Sequence, residues 1–282
     1  MMTQHNVTLV AFYGAKKPEP LATLIEKVSG EMERALRTDY PQFEAFSATQ
    51  IHATLIGMEV DIVGGQFYGH WLAANRNGGM RAVDFKTFMS ILKRVSLREP
   101  MFTIRFAGFR RAHCTCVGKS TEGWNCSTSR AEFHSCDRSA YDGSFYAYTP
   151  GPVILTGWQV RAADQLSDFP RHLYDLRFAA ESAGFVDKYH SDSAPHWMDD
   201  DCYLKLGAFK GSIEGSSTDW QEDIREYLSC QEPVTVDIVA EDVSIVLYEN
   251  PSLSCVKKRL TLPEAVEDPG KVVELYEELR RL

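Results

Sequence analysis

The feature that most constrains this chain is an order of elements that runs twice. Val7 to Tyr13 is a β-rich apolar run ending at Gly14, and reads as a strand. After a Pro-Glu-Pro start, Leu21, Leu24, Ile25, Val28, Met32, Ala35 and Leu36 recur at helical spacing. The stretch "QIHATLIGME", Gln50 to Glu59, supplies a second strand. Residues 60–80 are rich in glycine and asparagine and read as a loop. Asp84 is an N-cap for a helix with Phe85, Phe88, Met89 and Leu92 on one face. Phe102, Ile104 and Phe106 alternate with Thr103 and Arg105 as a half-buried strand.

A second run begins near Pro152. "PVILTGWQV" is a strand, and residues 164–183 read as a helix with Leu173, Leu176 and Ala180 on a stripe and Gly184 as its stop. "DCYLKLGAF", Asp201 to Phe209, is a strand, and Trp220, Ile224, Tyr227 and Leu228 form a short helical stripe. "VTVDIVAEDVSIVLYEN" reads as two strands with a turn at Glu241-Asp242, and Gly270 to Leu282 as a terminal amphipathic helix. The repeat is one of architecture and not of residues. It predicts two related lobes packed face to face within one domain: lobe 1 over about 5–110, lobe 2 over about 151–250, an insertion over about 110–150, and a C-terminal helix over about 270–282.

Composition narrows the function. A chain of 282 residues with 44% hydrophobic content can bury a sizeable core. A net charge of −9 opposes an extended grip on nucleic acid and leaves a small nucleotide or an RNA end as partner, held by a local gathering of cations. One stretch gathers them, Lys93, Arg94, Arg98, Arg105, Arg110 and Arg111, although such runs are commonly solvated surface. The first twenty residues lack a basic start before an apolar run, no run reaches the roughly 20 residues of a membrane span, and the seven cysteines are an odd number. The expectation is a cytoplasmic protein with reduced thiols and no membrane partner.

Within "QIHATLIGME", strand alternation puts His52 and Thr54 on one face, and Ile51, Ala53 and Leu55 on the other, towards a core. An imidazole beside a hydroxyl suits a phosphate group; it equally suits the ordinary polar side of a sheet. With the two-lobed order, "IHATLIG" resembles the first His-x-Thr/Ser motif of the 2H phosphoesterase superfamily, which contains RNA-end ligases of the LigT type and cyclic nucleotide phosphodiesterases. The resemblance covers about residues 5–250. It implies an α+β, two-lobed, pseudo-symmetric fold with antiparallel-rich sheets facing a central cleft, and one motif from each lobe. The second motif is degenerate here. On the strand Asp201 to Phe209, Tyr203 stands where the histidine belongs and Lys205 where the hydroxyl belongs. A register through "PHWM" would instead place His196 there, with Met198 at the hydroxyl position, but that segment is too acidic and irregular for a central strand.

The chemistry assigns roles accordingly. In-line attack at phosphorus needs one group to take a proton and another to give one, and two histidines titrating near 6.5 share those tasks at neutral pH without a metal. His52 is the candidate base, Thr54 a donor to phosphate, Lys205 a point charge on phosphate, and Tyr203 the candidate acid, a phenol whose ordinary pKa of about 10 suits the task only beside a cation such as Lys205. The resemblance thus implies a metal-independent phosphodiesterase-like protein acting on a nucleotide or RNA-end (2′,3′-cyclic) phosphodiester, weakened by the lost histidine, with no cofactor. Two other readings stand beside it. One is a non-catalytic nucleotide- or phosphate-binding module of the same fold. The other is an interaction protein stapled by structural zinc through Cys114, Cys116, Cys126, His134 and Cys136, thiolate and imidazole being usual zinc ligands, although the one-residue spacing is not the usual knuckle. Phe145, Tyr146 and Tyr148 in "GSFYAYTPG" read as a strand, for core packing or for stacking on a base.

Overall fold

The computed structural model describes residues 5–36, 43–71, 81–110, 138–148, 150–160, 172–186, 201–211 and 219–282. The first run of the chain gives β1 (Asn6–Ala11), α1 (Glu19–Leu36), β2 (Phe43–Ala45), β3 (Ala53–Gly57), β4 (Val60–Val63), β5 (Gln66–Gly69), α2 (Phe85–Ser96) and β6 (Phe102–Phe106). α3 (Arg138–Gly143) and β7 (Phe145–Ala147) follow from the insertion. The second run gives β8 (Gly151–Gln159), α4 (His172–Ser182), β9 (Asp201–Phe209), α5 (Asp219–Ser229), β10 (Val234–Ile238) and β11 (Val243–Tyr248). β12 (Val256–Thr261), α6 (Leu262–Glu267) and α7 (Gly270–Arg281) complete the chain.

The helices bury their apolar stripes. α1 buries Leu21, Leu24, Ile25, Val28, Met32 and Leu36. Asp84 caps α2 by accepting from the Thr87 amide at 3.0 Å. α6 starts on a capping box, with Thr261 and Glu264 satisfying each other's amides.

The architecture is α+β, and every strand pairing among the described residues is antiparallel. The order of the large sheet is β10-β6-β8-β9-β3-β1-β11-β12, with β2 also on β9 and β7 also on β8. Two separate sheets were expected; here two half-sheets meet edge to edge at β9 and β3, through a single residue pair, Ala53 opposite Leu204. The Lys205 amide donates to the His52 carbonyl at 3.4 Å across the same seam. Where the ladder opens, Arg177 of α4 takes its place. Its guanidinium, on a side chain only 1% exposed, donates to the Leu55 carbonyl at 2.9 Å, to Thr54 at 3.3 Å and to Asp201 at 3.1 Å. Buried carbonyls need partners, so one side chain completes the hydrogen bonding that two diverging strands cannot.

The halves are not filled by contiguous segments. β6, from the first run, lies in the half built by β8 and β9, and β11, from the second, lies beside β1. β10 and β11 therefore part company at the turn Ala240–Asp242 and are not a hairpin, despite their adjacency in sequence. Five of the helices collect on one face of the sheet: α1 lies against α5 and β10, and α2 against α4 and α6. There they cover Leu9, Ala11, Ala53, Leu55, Ile104, Leu155, Leu204, Leu206, Ile245 and Leu247. A fully buried side chain of this kind contributes about 1.5–3 kcal/mol.

Part of the stretch expected to be a loop, 60–80, is a β-ribbon of β4 and β5. Its turn, Gly64-Gly65, has φ of +58° and +83° at the two positions, the left-handed geometry that suits a two-residue hairpin. Glycine pairs mark both loops and hairpin turns, and the short apolar flanks decide for the hairpin.

Candidate functional site

The seam fixes the site. Ala53 and Leu204 face each other and point into the core, so their neighbours in sequence point to the opposite face. That sets His52 across from Lys205 and Thr54 across from Tyr203. An antiparallel pair carries a local two-fold axis, and the one through Ala53 and Leu204 exchanges His52 with Tyr203 and Thr54 with Lys205. Tyr203 thus occupies the position on β9 that His52 occupies beside β3, and Lys205 that of Thr54. β8 and β1 extend the row, with Thr156 opposite Tyr203, Ile154 opposite Lys205, Val10 opposite Thr54, and Ser244 of β11 opposite Val10. The four candidate residues therefore stand on one face, two on either side of the seam.

His52 is 1% exposed. Its Nδ1 lies 2.6 Å from the Gln50 carbonyl oxygen. A carbonyl only accepts, so Nδ1 carries the proton and the neutral ring keeps a lone pair on Nε2. Burial lowers the pKa to about 3, helped by the positive charges of Lys205 and Lys17 and opposed by the bond to Gln50. At neutral pH the ring is an acceptor at Nε2 and a very weak base.

Around it stands a set of residues that the two-motif reading did not contain. The Tyr13 ring meets His52 edge-on, with centroids 6.4 Å apart, and its hydroxyl donates to the Leu253 carbonyl at 3.4 Å. Lys17 Nζ donates to the carbonyls of Gly14 at 2.7 Å and Ala48 at 2.5 Å, and burial lowers its pKa to about 8. Arg259 of β12 donates from Nε to Ser244 Oγ at 2.9 Å and sets its guanidinium 5.8 Å from the Tyr13 ring centre. On β8, Thr156 is 1% exposed, and its Oγ1 makes no hydrogen bond among the described residues. Only strand pairing brings Thr156 and Arg259 here, and no local pattern announces that. "YGAKK" after β1 was the available signal for Tyr13 and Lys17: an aromatic, a glycine and two lysines on one loop.

The basic stretch does not gather at this site. Lys93 and Arg94 are exposed on α2, on the helical side of the sheet, while Arg105 lies on the opposite face across from Trp158. Of the aromatic strand, Phe145 is buried in the core, Tyr146 lies opposite Ile154 on the site face, and Tyr148 is exposed. Arg111, His196, Met198 and the zinc candidates Cys114, Cys116, Cys126, His134 and Cys136 lie outside the described residues. Among the described residues no three His, Cys, Asp or Glu side chains form a metal-ligand group, and no helix is long and apolar enough to cross a membrane.

No protein-family model, no curated protein and no solved structure matches this chain.

Proposed function

We propose that the face of β3 and β9 around His52 is a phosphodiester site, and that the protein is a slow, phosphodiesterase-like hydrolase of a nucleotide or RNA end. The observation that carries this reading is the register at Ala53 and Leu204, which sets His52, Thr54, Tyr203 and Lys205 on one face. His52 Nε2 takes the proton of the attacking water or hydroxyl. Thr54 donates to a non-bridging oxygen, Lys205 offsets the charge that grows there, and Tyr203 gives a proton to the leaving oxygen. The low basicity of His52 is in part the work of Lys205 and Lys17. A bound phosphate anion opposes both charges and raises the imidazole's pKa, so the base gains strength when substrate is present. The test is hydrolysis of nucleoside 2′,3′-cyclic monophosphate. Slow turnover is expected, lost on His52→Ala, with weaker substrate binding on Lys205→Ala. Turnover that survives His52→Ala at the wild-type rate would remove the site from the reaction.

A second reading rests on the burial of His52, whose 1% exposure and depressed basicity suit a site that binds without turning over. It predicts that nucleotide raises the melting temperature while no product forms.

A further inference from the structure

Most cations of this chain that the structure describes near β12 have a carboxylate. Lys257 pairs with Glu249 at 2.8 Å and Lys258 with Glu278 at 3.3 Å. Arg259, the next residue, does not: among the described residues its hydrogen bond is to Ser244, and its guanidinium lies over Tyr13. Lys17 likewise donates to two carbonyls and, among the described residues, pairs with no carboxylate. Glu264, whose carboxyl feels the charge of Arg259, accepts from Thr261 Oγ1 at 2.6 Å. Lys17 is half-buried and Arg259 exposed, and among the described residues neither pairs with a carboxylate, so an anion arriving from outside meets no competing salt bridge there.

The two converge at one glycine. Lys17 binds the Gly14 carbonyl, and a side chain at Gly14 would begin 3.2 Å from Arg259 Nη1. Gly14 also has φ of +101°, a backbone shape that other residues rarely take. Between this point and His52 stands the Tyr13 ring, held by its hydroxyl bond to Leu253. A fixed aromatic flanked by cations is the arrangement that stacks a base and holds its backbone phosphates.

We infer that Lys17 and Arg259, meeting at Gly14 beside Tyr13, form a second anion subsite, and that the ligand is therefore an RNA end carrying phosphates on both sides of its ribose, not a lone cyclic mononucleotide. This rests on the reading of the His52 face as a phosphate site. One phosphate lies at His52, Thr54 and Lys205, the other at Lys17 and Arg259, and the base stacks on Tyr13. The burial that lowers the pKa of Lys17 is the expected state of a cation waiting for its anion.

Titration calorimetry with adenosine 3′-monophosphate and adenosine 3′,5′-bisphosphate tests it. The wild-type protein should bind the bisphosphate about tenfold more tightly or better, the scale of one charge-assisted contact, with a steeper fall in added salt. Arg259→Gln and Lys17→Met should bring the bisphosphate to the affinity of the monophosphate. Lys258→Gln, one residue along β12, should keep the difference. Lys205→Ala should weaken both ligands. Equal wild-type affinities for the two would overturn the second subsite, and if that common affinity still fell on Lys205→Ala the first phosphate site would stand. Binding of neither would remove both.

Discussion

The two strands at the centre of the sheet have one backbone role and two chemistries. β3 and β9 are exchanged by the axis through Ala53 and Leu204, and their inward faces are alike: Ala53 and Leu55 on one, Leu204 and Leu206 on the other, all buried. Their outward faces differ. His52 and Thr54 offer an imidazole and a hydroxyl; Tyr203 and Lys205 offer a phenol and an ammonium. The contrast teaches where the constraint lies. The inward face is fixed by packing, where a change of one methylene is felt. The outward face is buried as well, with His52 1%, Thr54 8% and Tyr203 7% exposed, yet it carries polar groups where the inward face carries only apolar ones, so a half can keep its inward shape while its outward chemistry changes.

The largest expected effect makes the two faces alike. General acid and base groups contribute about 10²–10⁴-fold each. If the absent histidine limits the rate, Tyr203→His with Lys205→Thr should raise hydrolysis of a 2′,3′-cyclic nucleotide by about that range, and His52→Ala in the same background should erase the gain. A variant that folds, binds the nucleotide and turns over no faster would break the pairing of the two strands in catalysis. Tyr203→Phe alone separates two cases. A large loss means that the phenol is the acid; an unchanged rate means that the leaving oxygen departs unaided.

The second effect concerns what holds the halves together. Arg177 joins the carbonyls of Thr54 and Leu55 on β3 to Asp201 on β9, with its Nη1 also 3.6 Å from the Asp201 carboxylate. Arg177→Met keeps the apolar stem and strands these groups. Removing one side of a buried charged network costs about 3–5 kcal/mol, read as a lower urea midpoint. If the halves are stabilised separately, the unfolding curve should also split in two. A loss under about 1 kcal/mol would show that the strands hold without the clamp.

Arg177 also marks the limit of what the sequence discloses. The stripe Leu173, Leu176, Ala180 was legible because helical spacing is local. Arg177 lies beside Leu176 on that buried side, but a charged residue there reads as surface until strand order puts carbonyls above it. That His52 and Thr54 share a face was legible from alternation alone; Tyr203 and Lys205 were reached only by laying the motif of the resembled family onto the strand Asp201 to Phe209. The exchange of β6 and β11 between halves was not legible, because pairing of distant strands leaves no local trace. Nor were β12 and its Arg259, on a short strand of "VKKRLT" whose lysines and arginine mask its one buried position, Leu260. The basic stretch that starts at Lys93 forms no single patch: Lys93 and Arg94 are exposed on α2, as charge runs commonly are, while Arg105 stands on the other side of the sheet.

A third test uses acid. Unfolded, an imidazole titrates near 6.5; folded, His52 is lowered to about 3. As pH falls the unfolded chain takes the proton first, so stability present above about pH 6.5 is lost progressively down to about pH 3. The slope from this one group reaches about 1.4 kcal/mol per pH unit. Urea melts at pH 7, 5.5 and 4.5 should show it, and His52→Gln should flatten it. Equal slopes in both proteins would mean that His52 is protonated in the folded state, and its low basicity would go with that.

The smallest effect tests whether the two strands sense each other across the seam. Lys205 stands opposite His52, and its charge is the second cause, after burial, of the imidazole's low pKa. Lys205→Met removes the charge and keeps the stem, so the His52 pKa should rise, since a nearby like charge no longer opposes the imidazolium. It should stay below 6.5, because burial is the larger cause and is untouched. Nitrogen shifts of the labelled histidine ring, followed through a pH titration, read this directly. The same shifts report the tautomer, with the proton on Nδ1 towards Gln50 in both proteins. Phosphate added to the wild type should move the pKa in the same direction as Lys205→Met, because an anion between the strands cancels the charge that the substitution deletes. If the substitution raises the pKa and phosphate leaves it where it was, then the strands are coupled but no anion binds between them, and β3 and β9 would share a seam without sharing a site.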